Sequence, residues 1–147
     1  MSHSYIANWL HIVWSTKGRA RVLSDRIAVK LRDHILDKAT EKQYSIETIN
    51  IQPEHVHILL NLPATSSLDS IVHLLKGESS HWINEEKIIS GQFRWQKGYG
   101  AFSVSASAVE TVKDYIRNQA EHHRRRTFVE EYEEFLEKYG FEVKSEF

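Results

Sequence analysis

The sequence predicts an α+β domain of ferredoxin-like character, with a mainly antiparallel sheet, and three observations carry that expectation. Strand-length apolar runs and stretches of helical periodicity follow in the order strand, helix, strand, strand, helix, strand, strand, helix, helix. Hairpin-length links sit beside single crossovers, so neighbouring strands should run antiparallel, with helices packed on one face and a tyrosine-bearing helix toward the C-terminus. The 147 residues, 41% hydrophobic and 27% charged, are enough for one compact domain, expected to span residues 1–147.

Tyr5 to Trp14 is aromatic and β-branched without Pro or Gly, and both of its faces are largely apolar, which predicts a central strand. After a basic turn from Lys17 to Arg21, Ser24 is placed to cap a helix whose buried stripe is Ile27, Leu31 and Ile35 and which runs to about Thr40. Tyr44 to Ile51 and His55 to Leu62 read as strands separated by Pro53 and stopped by Pro63. Ser66 or Ser67 caps a second helix carrying Leu68, Ile71, Leu75 and Trp82, weakened by Gly77 and ending near Glu86. Phe93 to Trp95 and Tyr99 to Val104, joined by Gln96-Lys97-Gly98, are expected to form a hairpin. Ser107 with Glu110 has the form of a capping box opening a helix with Val109, Val112 and Ile116 inward, extending to about Arg124. Thr127 with Glu130 repeats that signature before Phe128, Tyr132, Phe135 and Tyr139, with Gly140 as the stop.

Composition excludes several kinds of chemistry. Without cysteine there is no thiolate nucleophile, cysteine-bound zinc or iron–sulfur cluster, so any metal falls to His, carboxylate or amide oxygen. No Gly-x-x-x-x-Gly-Lys loop is present to hold a nucleotide cofactor. No window approaches the ~20 apolar residues of a membrane span, and no signal-peptide pattern opens the chain, so a cytoplasmic protein without a membrane partner is expected. The net charge of -1 conceals an asymmetry, because Phe128 to Phe147 holds seven Glu against two Lys and the preceding part is mildly basic. That surplus permits nucleic acid without announcing it.

Nine histidines are the more informative count. In Glu54-His55-Val56-His57-Ile58-Leu59-Leu60-Asn61, a strand's period of two sends His55 and His57 to one face and Val56, Ile58 and Leu60 to the other. Two neighbouring imidazoles suit one divalent cation, and packed histidines would show the same spacing. On the third helix Tyr115 and Gln119 stack four residues apart, with His122 a turn further on. Position alone gives Tyr115 two readings, a phenol facing a cleft or a boundary residue covering the core. The block His122 to Arg126 either complements a helix C-terminus or contacts phosphate; Lys17, Arg19 and Arg21 form a second basic turn. Trp95, Tyr99 and Phe102, near Arg94 and Lys97, are either base-stacking residues or core. The glutamates of the last helix are expected to be solvated.

Taken together, His55-Val56-His57 after Pro53-Glu54, Trp95 to Ser103, Val112-Lys113-Asp114-Tyr115-Ile116-Arg117-Asn118-Gln119 with Glu121-His122-His123, and the N-terminal His11-Ile12-Val13-Trp14-Ser15-Thr16-Lys17 with Arg19 resemble the small single-tyrosine transposases of the HUH endonuclease group, the IS200-like family. The likeness spans essentially the whole chain. It implies that His55, His57 and Gln119 hold Mg²⁺ or Mn²⁺ and that Tyr115 is the nucleophile. The implied enzyme cuts single-stranded DNA at insertion-sequence ends through a 5′-phosphotyrosine, acts as a homodimer and recognises hairpins near those ends. Lys17, Arg19, Arg21, Arg124, Arg125 and Arg126 are the candidates for contacting the DNA backbone, on chemistry alone. The alternatives are a host-adopted relative that cleaves repeat hairpin DNA, a non-catalytic hairpin-binding module, and a His-based phosphohydrolase, which lacks further histidines at matching spacing.

Overall fold

The structure is a computed structural model and describes residues 4–142. Its elements are β1 (Trp9–Ser15), a 3-10 turn at Lys17–Arg19, α1 (Asp25–Glu41), β2 (Ser45–Ile51), β3 (His55–Asn61), α2 (Leu68–Glu85), β4 (Gly100–Val104), a 3-10 turn at Ala106–Ala108, α3 (Val109–Arg117), α4 (Gln119–His122) and α5 (Phe128–Lys138). The sheet order is β2-β3-β1-β4 and every neighbouring pair is antiparallel, an α+β fold with the expected β1 at its centre.

Alternation along β1 and β3 splits the molecule into two layers. Ile12, Trp14, Val56, Ile58 and Leu60 face α1 and α2, where Leu31, Ile35, Ile71, Val72, Leu75 and Ile83 complete an apolar core. Val13 and Phe102 pack on the opposite side against Phe128 and Tyr132 of α5. Gly100 lets α5 sit this close, since a Cβ there would come within 2.6 Å of the Tyr132 hydroxyl.

Ser67 caps α2 by accepting from the Ser70 N–H, and Thr127 with Glu130 forms a complete capping box on α5. Three expectations are corrected. The first strand starts at Trp9 rather than Tyr5, because Trp9 already pairs with Asn61 and Val104, the last residues of its neighbours, and before it the ladder gives way to single bonds from Leu62 N–H to the Asn8 carbonyl and from the Asn61 side chain to Ile6. Phe93 to Trp95 forms no strand and no hairpin with β4; Trp95 makes a single bridge to Thr16. Its polar groups go to α2 instead: the Asn84 side chain bonds both the N–H and the C=O of Phe93, and Trp95 Nε1 donates to Ser79 Oγ at 3.0 Å. Ser107 caps nothing, and Ala108 occupies the N-cap of α3 after the 3-10 turn.

The tyrosine helix is also shorter than expected. It stops at Arg117, Asn118 adopts φ -97 and ψ 28, and α4 restarts at Gln119. Lys113 anchors α3 to the sheet through Glu47 at 2.9 Å, and Glu47 lies at the irregularity between Ile46 and Thr48 where β2 and β3 shift register. Among the described residues no helix is long and apolar enough to cross a membrane. Lys144 and Glu146 of the acidic tail lie outside the described residues.

Candidate active site

His55 and His57 project from β3 on the face opposite the apolar core, and both are fully buried. Each has its Nδ1 occupied. His55 Nδ1 donates to Glu54 Oε1 at 2.6 Å, which fixes the proton there and turns the Nε2 lone pair inward. His57 Nδ1 shares a 2.7 Å hydrogen bond with Nε2 of His11, a buried β1 residue stacked on it at 4.9 Å between ring centres. Phe128 stacks on His55 at 4.2 Å and excludes water from that side.

Three further side chains converge on the two inward nitrogens. Gln119 Oε1 lies 3.4 Å from His55 Nε2 and 3.0 Å from His123 Nε2. Glu131 Oε1 lies 3.1 Å from His57 Nε2, 3.3 Å from His123 Nε2 and 3.8 Å from His55 Nε2. A six-coordinate cation with ligands at about 2.1 Å needs adjacent donors about 3 Å apart and opposite ones about 4 Å apart. The observed spacings fit that requirement, and the donor atoms of His55, His57, His123 and Glu131 all lie within 4.8 Å of one another.

Tyr115 reaches the same centre from α3. Its ring centre is 6.2 Å from that of His57 and equally far from that of His11, and its hydroxyl donates to Glu131 Oε2. Arg126 Nη2 donates back to the phenolic oxygen at 2.7 Å. His122 stacks on the Tyr115 ring at 4.4 Å.

The electrostatics follow from burial and from the neighbouring charges. Burial lowers the His57 pKa to about 4 against the opposing pull of Glu131, and burial together with His57 holds His11 well below its ordinary value. Burial works to raise the Glu131 pKa, yet the hydrogen bonds from His123, His57 and Tyr115 outweigh it and keep the carboxyl well below the usual range. Burial and the Glu131 charge raise the Tyr115 phenol, with Arg126 opposing.

The structure thus gathers His55, His57, Gln119, Tyr115 and Arg126 of the sequence-predicted residues. Arg19 and Arg21 line a groove with Gln52, Glu54, His123 and Arg126 that opens beside the cluster. Lys17, Arg124 and Arg125 point into solvent, and the last two pair with Glu121. Trp95 and Phe102 are core, so they are not stacking platforms. The expectation that all glutamates of the last helix are solvated is overturned at Glu131, which has no exposed surface.

Sequence reasoning also missed roles for His11, Glu54 and His123. The i, i+4, i+8 spacing of Tyr115, Gln119 and His123 was the available signal for His123. It was obscured by the break at Asn118, which sends His122 to the tyrosine ring and His123 to the cluster.

An antiparallel four-stranded sheet carrying a buried histidine pair, met by a tyrosine from the helix after β4, defines a transposase-like protein. The sequence profile described as "Transposase IS200 like" matches residues 4–119, and the chain belongs to that family. It is 29% identical over 115 residues to the ISDra2 transposase TnpA of Deinococcus radiodurans, covering 74% of this chain and 81% of that one. It is 32% identical over 120 residues to the transposase for insertion sequence element IS200 of Salmonella typhimurium, covering 76% of each. A crystal structure described as that of a Deinococcus radiodurans transposase superposes with a TM-score of 0.64 at 27% identity, covering 81% of this chain and 96% of that chain. A REP-associated tyrosine transposase, solved bound to a REP hairpin, shares the fold at 17% identity with a TM-score of 0.62, covering 84% and 72%.

Proposed function

We propose that this chain cuts and rejoins single-stranded DNA at the ends of an insertion sequence, with Tyr115 as the nucleophile. The observation that carries the reading is the meeting of the Tyr115 hydroxyl with Glu131, whose other oxygen sits among His57 and His123, all within one chain. Attack of the phenolic oxygen on the scissile phosphate leaves a 5′-phosphotyrosine and a free 3′-hydroxyl. That bond conserves the phosphodiester energy, so rejoining needs no nucleotide cofactor.

His55, His57 and Gln119 would hold a divalent cation, and the geometry adds His123 and Glu131 to that set. A cation there neutralises charge on the phosphate and the leaving oxygen. Three imidazoles beside one amide and one carboxylate favour Mn²⁺ over Mg²⁺, which prefers an all-oxygen shell. Glu54 and His11 orient the two β3 imidazoles, and Phe128 keeps water from His55. Arg19 and Arg21 in their groove, with exposed Lys17, Arg124 and Arg125, provide the backbone contacts for a strand folded into a hairpin. A homodimer and a cytoplasmic setting, where the DNA is, complete the reading.

The test uses the genomic sequence on both sides of the chain's own coding region, supplied as labelled single strands with Mn²⁺ or Mg²⁺. Denaturing gels and peptide mapping should show a cation-dependent covalent adduct on Tyr115, absent in Tyr115→Phe and lost in His55→Ala. Tight binding of these strands without any adduct would replace this reading with a non-catalytic hairpin-binding module.

A further inference from the structure

The match to the family profile ends at Gln119, yet both side chains that touch the Tyr115 hydroxyl come from beyond it. Glu131, on α5, accepts from the phenol, and Arg126, in the corner between α4 and α5, donates to the same oxygen at 2.7 Å. Arg126 is spoken for on its other sides. It pairs with Glu134, lies 3.9 Å from Glu131 Oε2 and keeps only 25% of its side chain exposed. Arg124 and Arg125 keep 76% and 82% of theirs. The three consecutive arginines are therefore chemically unlike, although the sequence presents them as one basic block.

We propose that Arg126 and Glu131 form a clamp on the nucleophile, supplied by this chain's own C-terminal segment, and that Arg126 acts on Tyr115 rather than on the DNA backbone. The proposal rests on Tyr115 being the nucleophile. A phenol oxygen held between an acceptor and a cationic donor has its reactive direction fixed before substrate arrives. As the Oη–P bond forms and the P–O3′ bond breaks, the phenolic proton leaves to solvent through the cavity that Tyr115 lines, and Glu131 serves to aim the oxygen. The guanidinium stays beside the oxygen that gives up that proton, and the leaving 3′ oxygen takes a proton from solvent. On rejoining, the 3′-hydroxyl oxygen displaces the tyrosine at phosphorus, giving up its proton to solvent, and the released phenolate takes up one proton from solvent. Both residues touch the reacting atom, so both are catalytic on this proposal.

The experiment separates affinity from rate on the single-stranded flanking DNA described above. Affinity is measured by fluorescence anisotropy without divalent cation, and adduct formation at saturating DNA with Mn²⁺. Arg126→Ala should slow adduct formation at least about 100-fold at saturation, the scale seen when one donor to a developing charge is removed. Its affinity should stay within about threefold of wild type, and Arg126→Lys should recover part of the rate. Arg124→Ala combined with Arg125→Ala should show the opposite balance, weakening affinity by a larger factor than it slows adduct formation at saturation. Loss of affinity with an unchanged saturated rate in Arg126→Ala would make Arg126 a backbone contact and overturn the clamp; so would an Arg126→Ala protein with neither change. Should Arg126→Ala fail to fold, as judged by circular dichroism, Arg126→Gln and Arg126→Lys carry the same comparison. An absence of adduct in the wild-type protein overturns the nucleophile itself, an outcome distinct from an adduct that forms normally in the Arg126 variants.

Discussion

The two faces of the sheet are built from the same strands and do opposite work. Ile12, Trp14, Val56, Ile58 and Leu60 face an apolar layer under α1 and α2, while His11, His55 and His57, one residue out of phase, face a polar centre under α3 to α5. Each position on the first face contributes by leaving water, and neighbours of similar volume could replace it. Each of the three histidines on the second is buried at a cost that only specific partners offset, so its identity is fixed by hydrogen bonds rather than by shape. The comparison teaches that burial alone does not distinguish core from site in this molecule. What distinguishes them is whether the buried atoms need partners.

The largest expected effect tests the apolar face. Ile58→Ala should lower the unfolding free energy by about 3 kcal/mol, within the 2–5 kcal/mol range for truncating a buried isoleucine, measured by urea denaturation. Because the cavity opens on the far side of the sheet, Mn²⁺ affinity of the folded fraction should change little. A large loss of affinity would show that the two faces are mechanically coupled.

Acid sharpens the contrast from the other side. His57 has its folded pKa lowered to about 4, below the value near 6.5 of an unfolded histidine, so the unfolded chain binds more protons between those limits. Stability is therefore full above about pH 6.5 and falls as the pH drops toward 4, by up to about 3 kcal/mol from this group alone. The depressed Glu131 and Glu54 carboxyls add to the loss at still lower pH, since each contributes stability above its unfolded pKa that disappears as it is protonated. A melting temperature that does not fall over the upper window would mean that the polar face is hydrated and not sealed. Ile58→Ala should leave the shape of this pH profile unchanged.

The smallest effect concerns the lid over the polar face. Thr127→Ala removes the capping box of α5 and should cost about 1 kcal/mol. Because α5 carries Glu131, the same variant should weaken Mn²⁺ binding several-fold more than the equivalent Ser67→Ala change at the start of α2, measured by calorimetry. Equal effects would uncouple the helix from the site.

How much of this was legible in the sequence depended on whether a periodic signal was local. The histidine pair was readable because period two is a property of one strand, and α1, α2 and α5 were readable from their stripes and caps. Phe93 and Trp95 misled because alternation of apolar residues near a glycine looks the same whether the partner is a strand or the Asn84 and Ser79 side chains of α2. The length of the tyrosine helix was misjudged because nothing in Arg117-Asn118-Gln119 forces a break, which the tertiary packing of Gln119 and His123 imposes. Glu131 was hidden among like residues. A run of glutamates advertises solvent, and only the fold reveals which one turns inward.

The completeness of that burial has a consequence in time. His55, His57, Gln119 and Glu131 have no exposed surface, so nothing diffusing in solvent meets them directly. For an ion or a phosphate to reach them the packing around them has to open, a movement of a kind that ordinarily falls in the microsecond to millisecond range. Residence at the centre is then set by the protein's own opening rate.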